Sequence, residues 1–369
     1  MIIMKLKQQI RRLLALECVG YFRPAGCVWV LLLADRGFSL AEIGLAEGFF
    51  HLVSMICEIP SGMLADLLGR KRTLAAGQIM SGLSAAAMLL SDSMAGVCLG
   101  MALSAMGYNL ASGTREAITY DSLVAYGVEE GYLKLSSRQN VVYRLTAAAA
   151  MLCAGATAAV GYRLAYAADI LFALAGTCAA LSLWEPVVTK GQRARENAPL
   201  RGLWSRLRAY LGETLRFLRE HPRTLGLMLF NALVGAFATL LGFYLQDALP
   251  GAGAHPALLG PLLVAVGLGG AAGSHAAAGL ARLPYRTAAV FSCAAIACGY
   301  LMAASNMLPL MAAGGFLAVA GDDCLQTLTD ARLNQGLPSD QRATLISVSS
   351  MCFSLMMVVL SPLTGALVS

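Results

Sequence analysis

Charged residues are scarce in this sequence, and their scarcity excludes an ordinary water-soluble globule. Asp, Glu, Lys and Arg make up 13% of the 369 residues, hydrophobic residues make up 58%, and the mean hydropathy is +0.67. A typical soluble domain has about 25% charged residues. Within lipid, only helices and closed barrels satisfy the backbone hydrogen bonds. The apolar runs are about 20 residues long and lack the two-residue alternation of barrel strands, so the sequence predicts an all-α polytopic membrane protein.

The residue patterns of common enzymes and cofactor sites are also missing. The ten cysteines lie in or beside apolar runs without a C-x-x-C pair, which gives neither a disulfide framework nor zinc-ligand spacing. The four histidines are scattered, and no phosphate-binding glycine loop occurs. We therefore expect no enzymatic activity, cofactor, metal site or nucleic-acid partner, and no ATP-driven transport by this chain alone.

Eleven apolar runs are candidate membrane spans. The first follows N-terminal cations as in a signal peptide, but Glu17 and Arg23 interrupt it and no small-residue cleavage site follows, so we interpret it as a retained span. The predicted spans cover residues 13–34, 43–65, 73–91, 94–114, 139–160, 163–184, 222–245, 257–281, 285–304, 307–331 and 343–366.

The distribution of cations predicts the orientation. Of the 27 Lys and Arg residues, 23 fall on the side of the N-terminus and two, Arg36 and Arg163, on the other side, while Arg23 and Arg144 lie inside spans. Cytoplasmic loops carry the excess of Lys and Arg. We therefore expect a cytoplasmic N-terminus.

The longest polar stretch, residues 185–221, separates six spans from five. Its leucines and Trp204 recur at helical spacing with arginines elsewhere on the helix, which is typical of a basic amphipathic helix on a membrane surface. A solvated basic linker is the alternative. The predicted organisation is an N-terminal six-helix bundle over 1–184, a cytoplasmic linker over 185–221, and an incomplete C-terminal bundle of five helices over 222–369.

The short join GMLADLLGRKRTL, residues 62–74, contains more than the charge rule requires. Asp66 lies where the helix dipole is negative, which is unfavourable by about 0.3–1 kcal/mol unless a cation or another helix N-terminus compensates. Gly62 allows close helix approach, and Gly69 can end a helix in the left-handed conformation. Three consecutive cations, Arg70, Lys71 and Arg72, then anchor the turn inside.

This join resembles the signature loop of the major facilitator superfamily, G-x-L-A-D-x-x-G-R-K-R. With Glu58-Ile59-Pro60-Ser61 before it, the loop is similar to a bacterial branch reading E-I-P-[ST]-G-x-x-A-D-x-x-G-R-K. Two further stretches fit that branch in order along the chain: SGTREA with YDSL, which contains Glu116 and Asp121, and Asn334 followed by RATLIS, which begins at Arg342.

The resemblance implies two six-helix bundles rocking about a midplane site in a bacterial cytoplasmic membrane, with helices 1, 4, 7 and 10 lining the cavity. It also implies a latch in which Asp66 pairs with Arg70 and docks on the helix that starts near Ser339 and Asp340. The corresponding loop of the second half, ARLPYRT at 281–287, is degraded, which makes a second latch doubtful.

The sequence departs from the proton-coupled drug exporters of this family. Leu103 stands where they commonly carry an arginine, four residues before Gly107, and the stretch 154–161 has no proline. Proton antiport is therefore only the default expectation for coupling.

Charged groups inside the spans are candidates for binding substrate or protons, because an unpaired charge in a bilayer is costly. Structural salt bridges, for example from Arg144 to an acid on a neighbouring helix, are the alternative. We favour Arg23 and Asp323 for the cavity and a packing or gating role for Glu58. The full candidate set is Glu17, Tyr21, Arg23, Arg144, Asp169, Asp322 and Asp323.

The sequence thus predicts a secondary active transporter that exports small amphipathic compounds and has a small-molecule substrate, the lipid bilayer and protons as partners. Uptake of a metabolite, or a non-transporting receptor or scaffold that retains the fold, are the alternatives. Because the family has twelve helices and the eleventh span ends near Ser369, we expect an extracytoplasmic C-terminus and either a truncated reading frame or a face used for association.

Overall fold

The computed structural model describes residues 2–188, 219–336 and 342–368, together with positions 208, 212 and 216. Side chains are described within these ranges except at 2–4, 59, 66, 67, 334–336, 342–346 and 368. The predicted amphipathic helix of the central gap lies almost entirely outside the described residues. No strand occurs in the described ranges, which confirms the all-α prediction.

Fifteen α-helices occur in the described part of the chain, joined mostly by short turns. In order they are α1 Ile2–Gly20, α2 Pro24–Cys27, α3 Trp29–Ala34, α4 Leu40–Leu68, α5 Arg70–Leu90, α6 Met94–Ala111, α7 Thr114–Val124, α8 Tyr132–Leu152, α9 Ala154–Val160, α10 Tyr162–Ser182, α11 Pro222–Gly251, α12 Pro256–Leu280, α13 Tyr285–Ala303, α14 Leu308–Gly336 and α15 Arg342–Val368.

Nine of the described helices are long and apolar enough to cross a bilayer, or ten if α8 and α9, bent by 45° at their junction, count as one span. The predicted bounds agree with the helices within a few residues over most of the chain. The first predicted span, 13–34, is the exception, since it is divided into α1, α2 and α3. The helix is interrupted just before Pro24, which disfavours helical geometry at the preceding residue.

The chain divides into two compact units. Unit 1 comprises Met1–Cys27, Phe49–Ala150 and Val160–Tyr210, and unit 2 comprises Val28–Gly48, Met151–Ala159 and Leu211–Ser369. Unit 2 therefore takes two segments from the first half of the sequence. A division into bundles over 1–184 and 222–369 stays a prediction.

Each unit has its own apolar core and closely packed helices. In unit 1, Leu13, Leu16 and Leu74 belong to a buried cluster at α1 and α5. In unit 2, Gly269 and Gly273 let α12 approach the backbone of α14, because a β-carbon at either glycine would overlap a carbonyl oxygen of α14. Small residues permit such close approach in membrane helices, where van der Waals packing drives association.

Candidate functional site

The interruption of the first span is stabilised by Asp169 of α10. Its carboxylate accepts hydrogen bonds from the backbone N–H groups of Ala25, at 3.1 Å, and Gly26, at 3.0 Å. These N–H groups lie at the beginning of α2, where no preceding helical turn supplies acceptors. Asp169 is 3% exposed, so its buried carboxylate stabilises the break between α1 and α2.

Arg23 occupies the other side of the same break. Its guanidinium donates to the Gly20 carbonyl, at 3.0 and 3.1 Å, and to Oε1 of Gln78 in α5, at 2.8 Å. The residue thus satisfies the last carbonyl of α1 and ties it to a neighbouring helix. The preference for Arg23 as a cavity residue stays a prediction, and its guanidinium already has protein partners.

Glu17 forms a buried ion pair with Arg115 of α7. Arg115 Nη1 lies 3.2 Å from Glu17 Oε2, and Gln139 of α8 donates to the other carboxylate oxygen at 3.4 Å. The Glu17 side chain is 0% exposed. Arg115 also pairs with Glu116, at 2.9 Å. One guanidinium therefore serves two carboxylates.

Aromatic rings surround the Arg115 guanidinium. Its Cζ lies 5.7 Å from the ring centroid of Tyr21 and 5.6 Å from that of Tyr143, and the two rings meet edge to face at 5.3 Å. Such cation–π contacts stabilise a guanidinium that is partly removed from water. Arg144, next in the sequence, is exposed and makes no ion pair with a described residue. Arg144 therefore lacks, among the described residues, the structural salt bridge that we considered for it, and the buried ion pair of this region is the one between Arg115 and Glu17.

A second part of this polar region lies where α4 meets α6. Ser54 and Asn109 lock the two helices together, with Ser54 Oγ donating to Asn109 Oδ1 at 3.1 Å and Asn109 Nδ2 donating to the Ser54 carbonyl at 2.8 Å. Phe50 and Glu58 lie one turn before and one turn after Ser54 on the same face of α4. The ring of Phe50 lies 6.3 Å from that of Tyr108.

Glu58 is a half-buried carboxylate that forms no ion pair with a described residue. Ser54, one turn from Glu58 on α4, is bonded to Asn109, the residue after Tyr108 on α6. Tyr108 is 58% exposed and Tyr143 is 39% exposed, although both lie within helices of unit 1. We call this group the acidic aromatic cluster, consisting of Glu17, Tyr21, Phe50, Glu58, Tyr108, Arg115, Glu116 and Tyr143.

Two carboxylates, those of Glu185 and Asp121, hold the signature loop where α5 begins. Gly69 has φ of 87° and precedes α5, and the N–H groups of Arg70 and Lys71 donate to the carboxylate of Glu185 at 2.8 and 2.7 Å. The Arg70 guanidinium pairs with Asp121 of α7. The start of α5 is thereby fixed to α7 and to the segment after α10.

The predicted latch cannot be followed in the described residues. The side chains of Asp66 and Arg342 lie outside them, as do residues 337–341 with Ser339 and Asp340. Gly62 is exposed, and a β-carbon there would meet no atom of a described residue within 4 Å, so the close helix approach expected at Gly62 is not made by the described residues. The latch therefore stays a prediction, and the partner of Arg70 among the described side chains is Asp121.

In unit 2, the adjacent carboxylates of α14 face different helices. Oδ1 of Asp322 is buried and accepts no hydrogen bond from a described residue. Gly235 of α11 leaves room for it, since a β-carbon there would lie 3.1 Å from this oxygen. A β-carbon at Gly270 of α12 would instead overlap Oδ2 of Asp323. Consecutive residues point about 100° apart on a helix, which explains the divergence.

The comparisons with known proteins agree with this architecture. The family model of the Major Facilitator Superfamily matches residues 25–361. The chain belongs to the Major Facilitator Superfamily. The resemblance drawn from the signature loop is therefore confirmed at the level of the superfamily.

Two curated proteins resemble part of this superfamily member. It is 33% identical over 93 residues to the inner membrane transport protein YajR of Escherichia coli (strain K12), a match covering 25% of this chain and 20% of that protein. It is 34% identical over 107 residues to the uncharacterized MFS-type transporter YxaM of Bacillus subtilis (strain 168), covering 29% and 26%. The matched segments thus span only about a fifth and a quarter of these relatives.

Solved structures resemble the superfamily member over nearly its whole length. The nucleoside transporter NupG superposes with a TM-score of 0.72 at 13% identity, covering 97% of this chain and 91% of that chain. The D-xylose-proton symporter gives 0.67 at 14% identity, covering 99% and 90%. A bacterial homolog to human lysosomal transporter, Spinster, gives 0.71 at 16%, covering 97% and 81%. At such identities the likeness shows the fold.

Several residues that contact the predicted site residues were not predicted from the sequence. The buried amide of Gln78 inside an apolar run was a usable signal, because an amide in lipid needs a partner. Glu185 is the first carboxylate after the sixth predicted span. The backbone N–H groups at the start of α5 need such an acceptor, because Gly69 before this helix has no side chain to cap it. The pairing of Arg115 with Glu17 had no local signal, since 98 residues separate them.

Proposed function

We propose that this chain is a secondary active transporter that works by alternating access and exports small amphipathic compounds. The observation that carries the proposal is the acidic aromatic cluster of unit 1. Rings with apolar faces and a carboxylate without an ion pair, Glu58, suit a ligand that is apolar over most of its surface and carries a positive charge.

The charge balance of the cluster favours a cation over an anion. Three carboxylates, Glu17, Glu58 and Glu116, stand against the single guanidinium of Arg115, which already pairs with two of them. An anionic substrate would have to displace one of those carboxylates. A cation would instead approach Glu58 and stack on Tyr108 or Tyr143, so amphipathic cations are the first substrates to test.

Proton coupling belongs to the same proposal, and Asp322 supports it. An ionised carboxylate inside a membrane helix is costly unless it is paired. Oδ1 of Asp322 is buried without a hydrogen bond from a described residue, so binding a proton would relieve the cost of burying the charge. A carboxylate that exchanges a proton in this way can link solute movement to a proton gradient.

A flux assay tests the proposal. The purified chain is reconstituted into liposomes with an acidic lumen, and uptake is measured for ethidium, uridine and D-xylose, with empty liposomes as the control. Gradient-dependent ethidium accumulation supports proton-coupled export of cations. Movement of uridine or D-xylose alone would support uptake of a metabolite instead. Ethidium binding without flux under any ion gradient would favour a non-transporting receptor.

A further inference from the structure

A cavity of about 660 Å³ lies in unit 2, and neither Asp322 nor Asp323 is among the residues that line it. Arg223, Arg286 and Arg332 line it together with Thr224 and Tyr285, and none of the described residues that line it is acidic. Three cationic side chains thus converge on one concave space.

The three guanidiniums keep their charge available to a ligand. None of them forms an ion pair with a residue that the structure describes. Arg332 lies over the ring of Tyr285, with 5.2 Å between Cζ and the ring centroid, and the Tyr285 hydroxyl is fixed by a 2.9 Å hydrogen bond to Thr329. This stacking orients Arg332 without neutralising it, because an aromatic face carries no net charge.

Two helices add to the positive potential of the cavity. Arg223 and Thr224 belong to the first turn of α11, and Tyr285 and Arg286 to the first turn of α13. The residue before each helix gives no side-chain cap hydrogen bond. A helix N-terminus carries partial positive charge and backbone N–H donors that favour an anion.

The positive-inside rule accounts for cations at this end of the helices but not for their convergence around one cavity. We propose that the cavity binds a phosphate group that carries net negative charge. The planar guanidinium fork suits phosphate oxygens, and three arginines can contact several oxygens of a tetrahedral group at once.

Two sources offer this chemistry on the side that the charge rule assigns to the cytoplasm. One is the headgroup of an anionic phospholipid in the adjacent leaflet, which attracts clustered basic residues. The other is a soluble compound with a phosphate group. Both would contact the same three arginines, so the experiment separates them by ligand rather than by residue.

The test uses the full chain purified in a neutral detergent. Short-chain phosphatidylglycerol, phosphatidylcholine of the same chain length, and inorganic phosphate are titrated separately, and the shift in apparent unfolding temperature gives each affinity. The variants are Arg286→Gln and Arg332→Gln, with Arg286→Lys to retain charge while removing the fork. Arg282→Gln is the matched control, because Arg282 is an exposed cation of the same loop that does not line the cavity.

We expect the wild type and Arg282→Gln to bind an anionic ligand equally. Arg286→Gln and Arg332→Gln should bind it at least about tenfold more weakly, because each loses a charge-assisted hydrogen bond to the ligand. Phosphatidylglycerol binding alone identifies a headgroup site, and inorganic phosphate binding alone identifies a soluble ligand. Equal losses in Arg282→Gln and Arg286→Gln would overturn the proposal, as would a wild type that binds neither anion.

Discussion

Replacing Glu185 should destabilise unit 1 by an amount that can be worked out from its two hydrogen bonds to the start of α5. Its carboxylate accepts the N–H groups of Arg70 and Lys71, at 2.8 and 2.7 Å, where α5 begins. Loss of an N-terminal cap costs about 0.5–2 kcal/mol, and loss of a charge at a helix N-terminus costs about 0.3–1 kcal/mol. Glu185→Ala should therefore cost about 1–3 kcal/mol in the free energy of unfolding.

Glu185→Gln separates the two contributions. The N–H groups of Arg70 and Lys71 donate to different oxygens of Glu185, so the amide keeps one acceptor and loses the other together with the charge. Glu185→Gln should therefore cost about 1–2 kcal/mol, less than Glu185→Ala. The measurement is an equilibrium unfolding titration of the purified chain in mixed micelles with increasing SDS. Glu130→Ala is the control, because Glu130 is exposed.

The expected order of stability is wild type, then Glu185→Gln, then Glu185→Ala. If Glu185→Ala unfolds at the same SDS fraction as Glu130→Ala, the carboxylate does not stabilise the start of α5. If Glu185→Gln is as unstable as Glu185→Ala, the charge rather than the cap dominates and the estimate is wrong.

Three further predictions concern other parts of the molecule. Glu17→Gln should destabilise the chain by about 1.5–3 kcal/mol, because Arg115 loses its buried charged partner but keeps Glu116. Thermal unfolding of Glu17→Gln, Arg115→Gln and the double variant should show a double variant less unstable than the sum of the two single variants, and simple additivity would deny the coupling. Gly69→Ala should lower the free energy of unfolding by about 1–3 kcal/mol, because φ is 87° at this residue. Gly62→Ala is the control, since Gly62 lies within α4 and has no described atom near its β-position, and it should be neutral or stabilising in the same unfolding assay. Equal losses in the two variants would refute the argument from backbone conformation. Asp322→Asn should remove the pH dependence of flux between pH 5 and 8, since the amide cannot release a proton, and an unchanged pH profile would leave Asp322 with a structural role.

The helices of this fold were predictable because length and hydrophobicity are local properties. The ninth predicted span, 285–304, corresponds to Tyr285–Ala303, and the resemblance of the signature loop pointed to the superfamily. The break before Pro24 could have been predicted from the charge of Arg23 next to a proline. Its stabiliser, Asp169, was recognised as an intramembrane charge, although its contact with the backbone of α2 was not foreseen.

Pairings across the sequence were less predictable. Glu185 lies 115 residues from Arg70, and no residue pattern in either segment indicates that the two are in contact. The same holds for the arginine cavity of unit 2, since Arg223, Arg286 and Arg332 come from three helices and share only the charge expected of a cytoplasmic face. Packing decides such contacts, whereas residue pattern decides the helices.

Proton-driven ethidium flux in proteoliposomes is the most direct test of the central claim, that this superfamily member exports amphipathic cations with Glu58 among the binding groups. We predict that the wild type accumulates ethidium in liposomes with an acidic lumen and that nigericin abolishes the accumulation. Glu58→Gln should lose most of this flux. Glu129→Gln should retain normal flux, because Glu129 is an exposed carboxylate outside the cluster. Ethidium accumulation by Glu58→Gln at the wild-type rate would contradict the role of the cluster. No accumulation by the wild type above that in empty liposomes would contradict the proposed export.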